Sequence, residues 1–576
     1  MIKPKHLKIW LLLVLLEGSL SGIYLVAMQF DSNRGHTLNY PAIRLALAGL
    51  GGLLLVVCLG LLWNFQRRPN SALNLCTRLD EKLTGTTRRL FVLQFFLGVA
   101  LVFITELYLM SYISIPQPLR PVLVWGWFIC MHTWLMLRLL YRNLYHQRPG
   151  LFARLRSKWQ GSLPVQRQVM QIMFVIGLIY FAAFIPINSN SQPTNFKPYF
   201  GHDDEIVIYP SVINILTPGA TFTESVNNLL VDNNWWYGYP YLSISAATLI
   251  LPRILYGPAF GEHVQLNLLL LRQFINILPM LLALALLVYL VTRFKSLPTS
   301  VGMYLFLLSL PGVFIFDMRF WHPDSLVLLL VLLTFFFLQR DALRFKKYFY
   351  LAAVTCALAA VIKLWGLFFF LAIAGYLLAG MLRKVIPLKK AVLAGVGFIA
   401  VMGLTIIISS PCLLYPATVK SLVNTWGHQL TTNATGYNEP DPEGVYQTGL
   451  PNWLRYFNKY FMHPWFFFFA FTALVLGSLW GSQVYLNRLL LAWCLVTVVY
   501  LVEFVAVKSY QYMLPVMLPL YAGGFLLPAL AEPGTGLRGP AWLTRPLTRR
   551  LLWGLLLLMV IGQFAVNINT ILKFLS

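Results

Sequence analysis

Three carboxylates stand side by side at Asp203, Asp204 and Glu205, with His202 before them and Tyr209 just after, in a chain of 576 residues that has only 19 acidic side chains. Neighbouring carboxylates repel one another, so such a cluster suits either cation binding or a carboxyl group poised for proton transfer. A solvated acidic turn is the plainer alternative. Two further polar groupings lie far along the chain. The run Phe316 to Asp324 gathers Asp317, Arg319, His322 and Asp324 at a corner between apolar stretches, although helix capping alone would use an Asp and a Pro there. Lys363, within Ala360 to Gly366, and Lys508, ahead of Tyr510, Tyr512, Pro515 and Pro519, are lysines in apolar surroundings that must snorkel to water or meet an anion. A carboxylate base combined with cations that steady a departing anion is the equipment of group transfer.

The elements that must position these residues are membrane helices. Hydrophobic residues make up 58% of the chain, charged residues 11%, and the mean hydropathy is +0.70. About fifteen stretches are long and apolar enough to cross a bilayer as helices, which predicts an all-α polytopic integral membrane protein. The expected spans are 8–30, 41–63, 90–114, 121–140, 168–187, 264–292, 299–318, 324–339, 348–362, 365–382, 391–410, 464–482, 488–507, 511–530 and 551–572.

With the N-terminus inside, 31 of the 44 Lys and Arg but only 4 of the 19 acids fall in cytoplasmic segments. The net charge of +25 is therefore a positive-inside signal with some attraction for anionic lipid, and no nucleic-acid partner is expected. The same topology puts the acidic cluster and both lysine turns on the outer face of a plasma (inner) membrane. Six cysteines with no CxxC pair point to neither a disulfide framework nor a zinc site.

Residues 1–165 read as an accessory module of four spans with basic inner loops, and 166–576 as a second membrane module of about eleven spans. The second module carries outer loops at 188–263 and 411–463. The first of these holds the acids and an Asn- and aromatic-rich run, Asn227 to Tyr241, suited to sugars, to lipid headgroups or to an interfacial aromatic belt. The second contains Trp426, Glu439, Asp441, Glu443, Trp453 and Arg455.

Four ordered pieces, His202-Asp203-Asp204-Glu205 with Tyr209, Arg319 to Asp324, Ala360 to Gly366 (with Ile362 where a Thr is usual) and Lys508 to Pro519, resemble the motifs of GT-C membrane glycosyltransferases. The likeness is to the branch of protein mannosyltransferases and aminoarabinose transferases. The resemblance covers about 166 to 530 and implies an inverting transfer of a hexose or pentose from a polyprenyl-phosphate donor to a glycan, lipid or protein acceptor outside the membrane. It implies Asp204 as the base, with Asp203 or Glu205 orienting it or holding a divalent cation, Mg or Mn. Arg319, Lys363 and Lys508 would clamp the phosphate, and His202, Tyr209, His322, Asp324, Tyr510 and Tyr512 would complete the substrate site. The four N-terminal spans depart from that family's pattern. A flippase or transporter of lipid-linked sugar and an O-antigen ligase or polymerase remain alternatives; the former predicts inverted repeats, and the latter outer loops dominated by Arg and His.

Overall fold

The computed structural model describes Val56 and residues 161–189, 199–220, 222–230, 237–414, 416–436, 446–532 and 540–575. The accessory module expected at 1–165 thus lies almost wholly outside the described residues, as do Glu439, Asp441 and Glu443. The described residues form α-helices, short 3-10 turns and one π-helical segment, and no strand. Seven helices are long and apolar enough to cross a membrane, or up to ten if each bent pair counts as one span.

By internal contacts the chain divides into two units. The first includes the pieces Ile213–Val231 and Ile250–Glu262, where Arg253 donates to the Leu216 carbonyl at 3.2 Å and stacks over Phe260. The second comprises Ser162–Val212, Asp232–Leu249 and His263–Ser576, and all of the polar groupings described above belong to it.

Within the second unit the helices are graded by burial. The most apolar window of Tyr510–Ala531 is 89% buried and that of Val264–Thr292 61%, whereas those of Pro164–Ser189, Leu388–Ser409 and Pro546–Phe574 are each 17% buried. Exposed leucine, isoleucine and valine on the last three make sense against lipid, where an apolar surface carries no penalty. Two helices that carry charges at their ends, Asp324–Asp341 and Lys347–Lys363, pack against each other and are buried along most of their inner faces.

Three breaks in regularity shape the site. The span Val264–Thr292 passes through a π-helical stretch, Arg272–Ile277, whose wider turn takes in an extra residue and carries Arg272 and Asn276, both buried. Pro311 opens a new helix bent 57° from Leu297–Leu308, and Leu450–Tyr460 meets Pro464–Leu479 at 102°. Lys347–Lys363 ends at Leu364, which takes a left-handed conformation (φ 54°) and returns its N–H to the Ala360 carbonyl at 2.7 Å. Gly366 then lies so close to that helix that a Cβ would fall 1.9 Å from the Cys356 carbonyl oxygen, so only glycine fits.

Candidate active site

The helix Asp203–Ile215 starts with its three acids in the first turn, where unpaired backbone N–H groups and the helix dipole favour negative charge. His202 caps it, its Nδ1 accepting from the Asp204 N–H at 3.1 Å. Burial pushes the His202 imidazole below its usual range, against the pull of Asp204.

From there the acids diverge. Glu205 is fully buried and each of its oxygens receives two bonds: Oε1 from Arg272 Nε (2.9 Å) and the Trp321 N–H (2.7 Å), Oε2 from Arg272 Nη2 (2.6 Å) and the Gly201 N–H (2.8 Å). Arg272 also donates to the carbonyls of Asn188 (2.7 Å) and Tyr199 (2.9 Å). This pair ties the acidic turn to the Val264–Thr292 span and to the Trp321 turn. Glu205 is thereby a positioning residue, because it has no lone pair facing open space. Asp203 is exposed. Both Glu205 oxygens are taken by N–H donors, which leaves neither directed at a divalent cation in this arrangement.

Asp204 is 37% exposed on its side chain. Its Oδ2 accepts from the Tyr237 hydroxyl at 3.2 Å and lies 3.4 Å from both His322 Nε2 and His202 Nδ1. Burial works to raise the carboxyl. The hydrogen bond and charge of His322, then His202 and Lys363, together outweigh it and hold the carboxyl well below the usual carboxylate range. Oδ1 has no partner among the described residues and is the oxygen left for a substrate.

Behind Asp204 the contacts continue without a gap. His322, fully buried, bonds through Nε2 to the Tyr237 hydroxyl and through Nδ1 to Asp324. Burial, and after it the charge of Asp204, raises the Tyr237 phenol well above its usual range, so it keeps its proton. Asp324, also fully buried, takes both of its oxygens to Lys363 Nζ at 2.9 and 2.8 Å. The Lys363 ammonium sits over the rings of Tyr512 (4.8 Å) and Tyr237 (5.7 Å). Aromatic packing fixes the surround: His202 on Phe320 at 4.3 Å, Phe320 on Tyr510 at 5.4 Å, Tyr510 on Tyr460 at 5.2 Å and Tyr241 stacked on Trp321 at 5.8 Å.

Of the residues expected from sequence, His202, Asp204, His322, Asp324, Lys363, Tyr510 and Tyr512 come together. Lys508 instead donates to the carbonyls of Gln447 (2.6 Å) and Ala506 (3.0 Å) and lies over Trp453 and Tyr456, just ahead of the helix Tyr510–Phe525 that carries Tyr510 and Tyr512. Tyr209 belongs to the core: it is buried, accepts from Asn267 at 2.7 Å and packs edge-on to Phe200. Arg319 closes the helix Pro311–Arg319. Asp317 belongs to a buried polar group, its carboxylate accepting from Tyr180 (3.0 Å) and Asn276 and its backbone carbonyl from Asn188.

Sequence reading missed Tyr237 and Arg272. Arg272 had a signal, a guanidinium midway along a span, which is expensive unless paired. Tyr237 had none beyond its place in an aromatic run. No protein-family model, curated protein or solved structure matches the chain.

Proposed function

We propose that this chain is an inverting glycosyltransferase that moves a sugar from a polyprenyl-phosphate donor to an acceptor hydroxyl or amine on the outer face of the membrane. One observation supports this reading above the rest. A half-open carboxylate with one unpartnered oxygen, Asp204, is joined through His322 and Asp324 to a partly exposed lysine, Lys363, across segments that are far apart in sequence. A base and an anion clamp are then neighbours in one water-poor site, where each charge acts more strongly than in water.

In this mechanism the acceptor approaches Asp204 Oδ1 and gives up its proton there as its lone pair attacks the anomeric carbon. The bond from that carbon to the phosphate oxygen breaks on the opposite face, the electron pair leaves with the phosphate, and configuration inverts. Lys363 meets the departing charge. His322 and Tyr237 hold Oδ2 so that Oδ1 stays aimed outward. Tyr510, Tyr512 and Tyr460 offer ring faces for the apolar sides of a sugar.

The test is transfer in proteoliposomes holding the full chain and a panel of prenyl-phosphate sugars, with released prenyl phosphate as the readout. Asp204→Asn should abolish release while the protein inserts and elutes as the wild type does. Turnover near the wild-type rate in that variant would remove Asp204 from the mechanism, and no release by the wild type from any donor in the panel would remove the reading itself.

A further inference from the structure

The helix Pro416–Thr435 contributes nothing to the site chemistry described above, yet both of its ends are fastened. It follows the span Leu388–Ser409 by way of the 3-10 turn Pro411–Leu414, on which it chiefly packs. At its other end the Asn433 carbonyl accepts the N–H groups of Ala506 (2.7 Å) and Val507 (3.3 Å), just past the span Val484–Phe504, and the Asn433 side-chain oxygen accepts the Tyr512 hydroxyl at 3.3 Å. The Tyr512 ring lies 4.8 Å from the Lys363 ammonium. The chain leaves the Lys363 turn along Trp365–Leu382 and returns along Leu388–Ser409, so Ser409 stands at the membrane face that holds Lys363. Asn433 and Tyr512 bring Ala506 to the same face. Twenty residues of helix measure about 30 Å, and a rod of that length tied at both ends to one membrane face runs along it.

Around this helix the side chains separate by type. Val419, Val423, Trp426 and Leu430 recur at i, i+4, i+7 and i+11 as one stripe, whose aliphatic members are 39%, 60% and 51% exposed. Leu422, which is buried, and Asn433 border that stripe on the side fastened to the chain. Lys420, Asn424, His428 and Thr431 hold the far face, all exposed. Lys420 is the helix's one charged residue other than histidine, and there is no acid. An exposed apolar stripe under a polar face suits the boundary between lipid headgroups and acyl chains. The stripe also continues a lipid-facing surface, since Leu404, Ile407 and Ile408 at the end of the preceding span are exposed in the same way.

We propose that Pro416–Thr435 is a membrane-surface helix: it seats Val419, Val423, Trp426 and Leu430 in the bilayer on the side of Lys363, and that seating holds its Asn433 end against Ala506 and Tyr512. The partner is the lipid surface itself, whichever reaction the neighbouring site performs. Detachment would break three hydrogen bonds to Asn433, one of them from the ring beside Lys363.

The test places the photoreactive residue benzoylphenylalanine at position 423 or, on the far face, at position 428 of the full chain in nanodiscs of phosphatidylcholine and phosphatidylglycerol. After irradiation, mass spectrometry should find lipid adducts at 423 and none at 428. Adducts joining 423 to another segment of the chain or to a second copy, equal lipid labelling at both positions, or no lipid labelling at 423 would overturn the seating. Val423→Asp combined with Leu430→Asp, both at exposed positions, should speed amide hydrogen exchange at Ala506 and Val507 in the same nanodiscs while the buried helix Tyr510–Phe525 stays as protected as in the wild type. Leu430→Asp alone serves if the pair does not purify as a single species. Exchange at Ala506 and Val507 equal to that of the wild type would overturn the hold on Tyr512, and none of these outcomes depends on whether sugar transfer is observed.

Discussion

Replacing Glu205 by Gln is the sharpest test of how the acidic turn is held. Each Glu205 oxygen now takes one guanidinium N–H and one backbone N–H. In Gln one of those oxygens becomes an NH₂ group, so two donors face a donor and two bonds are lost. Arg272, only 1% exposed, keeps its charge with no anion in reach. Breaking a buried ion pair from one side costs about 3–5 kcal/mol, roughly a thousandfold in the folding equilibrium. The assay is equilibrium unfolding in mixed detergent and dodecyl sulfate micelles, followed by tryptophan fluorescence. Arg272→Met in the Glu205→Gln background removes the stranded charge and should restore most of the loss, with a coupling energy of about 2–3 kcal/mol between the two sites. A cost below about 1 kcal/mol for Glu205→Gln, or single-variant costs that simply add, would refute the account of Glu205 as the anchor of the turn.

Three other outcomes follow from the same geometry. A Cβ on Gly238 would lie 2.0 Å from the Val361 carbonyl oxygen, so Gly238→Ala should destabilise the protein by about 1–3 kcal/mol and, by moving Tyr237, slow transfer; unchanged unfolding and rate together would contradict the packing. Tyr237→Phe keeps the ring and removes the hydroxyl that serves Asp204 and His322, and should lower kcat about tenfold with little change in donor KM, as expected for a lost bond of about 1.4 kcal/mol in steady-state kinetics. Because the Asp204 carboxyl is held below the usual carboxylate range, the stability it contributes is present above the unfolded-state value near pH 4 and fades only as pH falls through its lower folded-state value. Partial exposure screens that contribution. Acid unfolding curves of wild type and Asp204→Asn should therefore run parallel above about pH 4 and converge below it; convergence beginning near neutral pH would reverse the assignment.

Much of the helical scaffold was legible because apolar length alone decides it: the stretches read as spans between 168 and 572 fall mostly on helices, although 299–318 is two helices broken at Ser309 and Leu310. What periodicity cannot see is a bend. The strongly amphipathic segment Leu450–Tyr460 sits at right angles to the span after it because His463 and Pro464 interrupt the helix, and nothing in hydropathy fixes that angle. The site was legible in part for a different reason. Asp204, His322, Asp324 and Lys363 are ionisable groups in a chain that avoids them, so rarity pointed to them. Rarity could not sort Glu205 from Asp204, since burial, and not residue type, separates their roles. Nor could it find Tyr237, whose hydroxyl matters only because Gly238 donates its N–H to the Ile362 carbonyl and so seats that loop against the Lys363 turn.

The split between Asp204 and Glu205 has a bearing on how the proposed site can be altered. Consecutive positions on one turn divide the labour, one bonded entirely inward and the other with an oxygen facing out. On the transferase reading proposed above, a change at Asp204 is felt in turnover, whereas a change at Glu205, Arg272 or the Trp321 turn is felt first in folding.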